Sequence, residues 1–111
     1  MIKIKGLLPS LREQNRYILF EVISRNKSNY PQVSGAIMDS CKSYMGIVGF
    51  AKAGPMMIKN KWSQEEQTGI VKVNRKYVDW VKASFALINN IKGNEVIVRS
   101  QKVSGILRKA C

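Results

Sequence analysis

The apolar periodicity of this chain switches from two residues to between three and four and back again. That order restricts its fold more than any other feature. Residues 16–24, RYILFEVIS, are rich in aromatic and β-branched side chains, which suit a pleated surface and predict a strand. Ile18, Phe20 and Val22 share one face by the two-residue period, with Tyr17, Leu19 and Glu21 on the other. Residues 26–29 read as a polar turn, and Pro31 suits the first turn of a helix, where its missing N–H would have no partner anyway. Val33, Ile37, Cys41 and Tyr44 then recur at helical spacing, and the helix is expected to end near Gly46. The small-residue stretch 46–55 predicts a short strand or a loop.

Alternation returns at Met56, with Met56 and Ile58 on one face and Met57, Lys59 and Lys61 on the other. A turn over 63–68 leads into GIVKVN (69–74), where Val71 and Val73 oppose Ile70 and Lys72, so the two segments predict a hairpin. Asn74 is a suitable N-cap for a helix carrying Tyr77, Val78, Val81, Phe85 and Ile88, broadened by Trp80, Leu87 and Ile91. Gly93 is expected to close that helix. EVIVRS (95–100) is the last predicted strand, with Val96 and Val98 opposed to Ile97 and Arg99.

The predicted order is β-α-β-β-α-β, an α+β sandwich of the RRM-like or ferredoxin-like kind. Two main helices lie on one face of an antiparallel sheet. The division expected is an N-terminal arm (1–15, broken by Pro9), an α/β core (16–100) and a basic C-terminal tail (101–111) whose Val103, Ile106 and Leu107 could dock. The inner sheet face takes Ile18, Phe20, Val22, Ile58, Val71, Val73, Val96 and Val98. Tyr17, Leu19, Met57, Lys59, Lys61, Ile70, Lys72, Ile97 and Arg99 fall on the outer face, which is more apolar than a wetted surface requires. Either the arm or tail covers it, or a partner does.

Charge narrows the function. The chain holds 19 Lys and Arg against 7 Asp and Glu, a net +12, whereas solubility needs only about 2–8 in a small domain. Such a field favours a polyanion, and nucleic acid is the usual one inside cells. The cations are spread along the chain and not gathered on one amphipathic element, which disfavours a lipid surface. No His is present, which removes the commonest general base and metal ligand. Cys41 and Cys111 are too distant for a zinc cluster and too few for a disulfide scaffold, so a reducing, cytoplasmic setting is expected. No phosphate-loop spacing occurs, and the adjacent acids Glu65 and Glu66 lie in a polar turn. No run of about 18 apolar residues could span a membrane, and no secretory leader is expected. The chain is expected to perform no chemistry alone and to bind no cofactor. The Gly-Phe-Gly-Phe pattern by which RNA-recognition domains stack bases is absent, so contact is expected through Arg and Lys to phosphate.

Several blocks resemble a known family. Leu8-Pro9-Ser10-Leu11-Arg12-Glu13 with Arg16-Tyr17-Ile18, the run from Gly69 to Val78, Ala86-Leu87-Ile88, Val96 to Ser100 and Val103-Ser104-Gly105 follow in order the pattern of archaeal ribonuclease P protein component 2, a Pop-type subunit family. The resemblance implies a non-catalytic subunit of the endoribonuclease that removes 5′ leaders from precursor tRNA. It implies an RRM-like sandwich, with the active site and its magnesium on the ribonuclease P RNA. It further implies pairing with the TIM-barrel component 3, in a two-fold heterotetramer. The expected RNA contacts are Arg12, Arg16, Lys59, Lys61, Arg75, Lys76, Arg99, Lys102, Arg108 and Lys109. Arg75 and Lys76 stand at the start of the second helix, where backbone N–H groups also favour phosphate. Tyr17, Leu19, Ile70 and Ile97 are the expected partner contacts, and Trp80 and Phe85 belong to core or partner. The alternative is a structural RNA-binding protein such as a ribosomal protein; a small phosphatase on the same scaffold is the poorest candidate.

Overall fold

The computed structural model describes residues 15–105. Strand β1 (Asn15–Ser24) leads into helix α1 (Tyr30–Ala53), strand β2 (Met56–Met57) and strand β3 (Thr68–Asn74). Helix α2 (Val78–Ala86), strand β4 (Asn90–Ile91) and strand β5 (Asn94–Ser104) complete it. The strands pair antiparallel in the order β2-β3-β1-β5-β4, which puts β1 at the centre. This is the α+β order read from the periodicity, with the short β4 added ahead of the last strand.

The inner faces agree with the alternation. Ile18, Phe20 and Val22 of β1, Val71 and Val73 of β3, and Val96 and Val98 of β5 are buried in one cluster with Val33, Ile37 and Cys41 of α1 and Val81 and Phe85 of α2. Phe20 and Phe85 join sheet to helix with ring centroids 5.7 Å apart. Each such side chain contributes roughly 1.5–3 kcal/mol by leaving water. Helix α1 starts at a capping box: Gln32 N donates to Asn29 Oδ1 at 3.0 Å, and Asn29 N donates to Gln32 Oε1 at 3.1 Å.

Four boundaries differ from the sequence reading. Gly46 breaks α1 with φ 75 and ψ 173, but the helix resumes and runs to Ala53, so no strand or loop occupies 47–53. Glycine tolerates that conformation, and Phe50 and Ala53 beyond it return to the core. After Met56 and Met57 the chain leaves the sheet, and Lys59–Lys61 form a 3₁₀ turn. Met57, not Ile58, packs on the core, because the register sets Met57 opposite inner-face Val71 and Met56 opposite outer-face Lys72. Trp62 then folds back onto Phe20 with ring centroids 6.3 Å apart.

The third difference concerns α2. Asn74 caps a 3₁₀ turn over Arg75–Tyr77, and the helix proper ends at Ala86. Ile88 and Ile91, read as helix positions, are buried beyond that end, and Gly93 lies in the β4–β5 turn, its N–H bonded to Asn90 Oδ1. Pairing of Asn90 with Glu95 and Ile91 with Asn94 takes these residues out of the helix. Lastly, β5 continues past residue 100 to Ser104, so four residues assigned to the tail belong to the sheet. The arm 1–14 and residues 106–111 lie outside the described residues.

One irregularity in β5 decides which way its cations point. Phe20 pairs with Ser100 and Leu19 with Lys102, leaving Gln101 as an extra residue. Unbroken alternation would continue Val96, Val98 and Ser100 with Lys102 on the inner face. The bulge turns Lys102 onto the outer face beside Leu19.

Candidate nucleic-acid interface

Strand register gathers several cations at one end of the sheet. Asn15 pairs with Asn74 and Tyr17 with both Lys72 and Ser104, which sets Arg16, Lys72, Arg75 and Lys76 toward that end, with Lys102 opposite Leu19 further along β1. Arg16 is half-buried, donates from Nη1 to Asn15 O at 2.9 Å and lies beside Gly105. Arg75 and Lys76 are exposed, held in their turn by Lys76 N donating to Asn74 Oδ1 at 2.9 Å. They precede α2 by a 3₁₀ turn and do not sit in its first turn, where Asp79 stands instead. They therefore stand immediately ahead of the helix proper, in the Asn74-capped turn that runs into it.

Lys72 was absent from the expected contacts, although its opposition to Val71 and Val73 was readable. The missing signal was register: Lys72 faces Tyr17 on one side and Met56 on the other, on the same outer surface as Lys102. Lys72, Arg75, Lys76 and Lys102 make no ion pair among the described residues.

The other expected contacts divide. Lys59 and Lys61 are exposed at the opposite end of β3, with Lys59 Nζ 6.0 Å from the centre of the Tyr30 ring. That ring packs against Trp62, so a cation and two aromatics share one surface. Arg99 sits mid-face and is partly neutralised: its Nε donates to Glu21 Oε1 at 3.0 Å, and Gln101 Nε2 donates to the same oxygen at 3.1 Å. Arg12, Arg108 and Lys109 lie outside the described residues.

Of the expected partner contacts, Tyr17 and Leu19 are half-buried on the outer face and Ile97 is exposed. Ile70 is corrected: it is 1% exposed, and a side chain enclosed to this degree offers no area to a partner. Phe85 is core. Trp80 instead is exposed on α2, its ring tilted against those of Tyr44 and Tyr77 with centroids 5.8 Å and 6.3 Å away, and Ile47 and Val48 are exposed on α1 beyond the Gly46 break. The sequence reading placed Tyr44 on the buried stripe and so missed this helix-side apolar patch.

Little else on the surface suggests chemistry. Among the described residues no three His, Cys, Asp or Glu side chains gather into a possible metal site. Burial pushes the Cys41 thiol up, against a smaller opposing hydrogen bond with Ser84. Among the described residues no helix is long and apolar enough to cross a membrane.

Comparison with known proteins fits this geometry. The Rpp14/Pop5 family pattern matches residues 16–111. Ribonuclease P protein component 2 of Pyrococcus furiosus is 39% identical over 105 residues, covering 95% of this chain and 86% of that protein. The protein of the same name from Methanocaldococcus jannaschii is 35% identical over 107 residues, covering 96% and 77%. A chain of the yeast ribonuclease MRP cryo-EM structure shares the fold with a TM-score of 0.66 at 14% identity, over 86% of this chain and 77% of that one. With a matching family pattern and relatives aligned along almost its whole length, the chain belongs to the Rpp14/Pop5 family.

Proposed function

We propose that this chain is a protein subunit of ribonuclease P that binds the catalytic RNA and assists removal of the 5′ leader from precursor tRNA without itself cutting the strand. The observation that carries the reading is the near full-length similarity to proteins named ribonuclease P protein component 2. The charge arrangement gives it a mechanism. A folded RNA brings phosphates close together, and their repulsion opposes the compact form. Lys72, Lys102, Arg75 and Lys76, carried on paired strands and a capped turn, offset that repulsion with no further backbone ordering. The RNA then holds its shape with less magnesium, which remains the RNA's own ligand.

A protein partner is proposed as well, the TIM-barrel component 3 that the resemblance implies, in a two-fold heterotetramer. The exposed Tyr44, Ile47 and Trp80 surface supports it, because aromatic side chains grouped in the open are the usual anchors of a protein interface. The reading is tested by reconstitution. The protein alone should leave precursor tRNA intact, and RNA plus component 3 should need less magnesium for leader removal once this chain is added. An unchanged magnesium requirement overturns the mechanism.

A further inference from the structure

A cleft lies at the end of the sheet remote from the Arg16–Lys72 cluster, where β1 ends and β5 begins, and none of the cations above lines it. It encloses about 1020 Å³, at the upper end of small-ligand sites. Part of its wall is apolar: Ile23 and Ile97 are cross-strand partners on the outer face, 43% and 61% exposed. At its rim Asn26 Nδ2 donates to Asn94 Oδ1 at 3.1 Å. Whichever amide donates, one bond between two amides leaves one carbonyl oxygen and one NH₂ group of the pair unused. Neither is bonded to another described residue. Arg25 and Glu95 are its charged members, both exposed and without an ion pair among the described residues.

We infer that this cleft takes an unpaired RNA nucleotide, its base lying on Ile23 and Ile97, its edge on the Asn26–Asn94 amides and its phosphate on Arg25. The inference rests on the RNA-binding reading above and names the part of an RNA that this end of the sheet recognises. A base released from a helix exposes a flat apolar face, which an aliphatic wall covers. The Watson–Crick edge of each of the four bases carries a donor beside an acceptor, the complement of what the amide pair leaves free. In a duplex that edge is occupied. The cleft therefore separates unpaired from paired nucleotides and not one base from another. Glu95 repels phosphate, so the backbone runs along the Arg25 side, where Lys27 also lies exposed.

The test uses the full chain, fluorescence anisotropy and three probes: a six-nucleotide uridine strand, a six-nucleotide adenosine strand and a blunt RNA duplex. Ile97→Ser, and separately Asn26→Ala with Asn94→Ala, should each weaken both single strands about five- to tenfold and leave the duplex unchanged. Ile97→Ser loses a mostly exposed side chain and its cross-strand contact with Ile23, a cost of about 0.2–1 kcal/mol, so the variant should still fold in a urea titration, which keeps the test informative if the amide variant unfolds. Single-strand binding unchanged in Ile97→Ser, with both RNA forms still bound by the unaltered protein, overturns this inference and leaves the subunit reading standing. Failure of the unaltered protein to bind any of these probes or ribonuclease P RNA overturns both.

Discussion

Gln67 and Ser28, 39 residues apart in sequence, hold each other by a reciprocal pair of hydrogen bonds: Ser28 N donates to Gln67 Oε1 at 2.9 Å, and Gln67 Nε2 donates to Ser28 O at 3.0 Å. Both residues are buried. The Gln67 backbone oxygen also accepts from Val22 N at 2.8 Å, so one residue ties the turn before β3 to β1 and to the entry of α1. Gln67→Ala would strand a buried N–H and a buried carbonyl, costing about 3 kcal/mol. The urea midpoint should fall accordingly, while RNA affinity of the folded protein at fixed salt stays constant, since no charge changes.

Gly69 faces Phe20 across the β1–β3 pair, and a Cβ there would stand 2.8 Å from Phe20 Cζ and 3.0 Å from Trp62 Cε3. The glycine is fixed by this close approach of two rings. Gly69→Ala should lower stability by about 1–3 kcal/mol in thermal melts. Combined with Phe20→Leu, the loss should be smaller than the sum of the two single losses, because both changes act on one space.

The same rings explain where the sequence was legible. Alternation in β1, β3 and β5 assigned Ile18, Phe20, Val22, Val71, Val73, Val96 and Val98 to the inner face, because one buried face imposes a strict two-residue period. It failed at Ile58, because the register sets Met57 opposite inner-face Val71 and so puts Met56 and Ile58 on the other face. It stopped at residue 100, because a bulge at Gln101 shifts the register of β5 and so hides that the strand runs on through Lys102. The cation cluster was half legible for the same reason. Charge type could be read residue by residue, whereas Lys72 beside Tyr17 is a fact of cross-strand pairing. Tyr44 kept helical spacing with Cys41 yet is exposed, since the spacing of four points on a helix does not fix how wide the buried stripe is.

Phosphate contacts should appear in the salt dependence of RNA binding. Lys72→Ala and Lys102→Ala remove two outer-face cations that lack an ion pair among the described residues. Each should reduce the slope of log affinity against log salt by about 1, measured by titration with ribonuclease P RNA. Lys82→Ala, an exposed change on α2 away from the outer sheet face, should leave the slope unaltered.

The helix-side aromatics should separate partner binding from RNA binding. Trp80→Ala removes an exposed ring packed at a tilt against Tyr44 and Tyr77. Affinity for component 3 should drop by ten-fold or more, as for a central aromatic anchor costing about 2 kcal/mol. The RNA salt slope should be unchanged, and calorimetry against the partner with and without the substitution measures the difference.

Cys41 supplies a pH dependence whose sign is fixed by burial. Desolvation raises its thiol above the ordinary 9.0, and the hydrogen bond with Ser84 opposes this only in part. A raised folded-state value means that the unfolded chain loses the proton first. The contribution is therefore fully present below pH 9.0 and is lost as pH rises through the folded value. Cys41→Ala removes the titration while leaving every lysine and tyrosine in place, so the difference between the two proteins isolates it. Urea midpoints taken at pH 8 and pH 10 should show the unaltered protein losing more stability over that interval than the variant. A decline equal in both would mean that the thiol ionises as readily folded as unfolded, and that the packing of the core around it admits water.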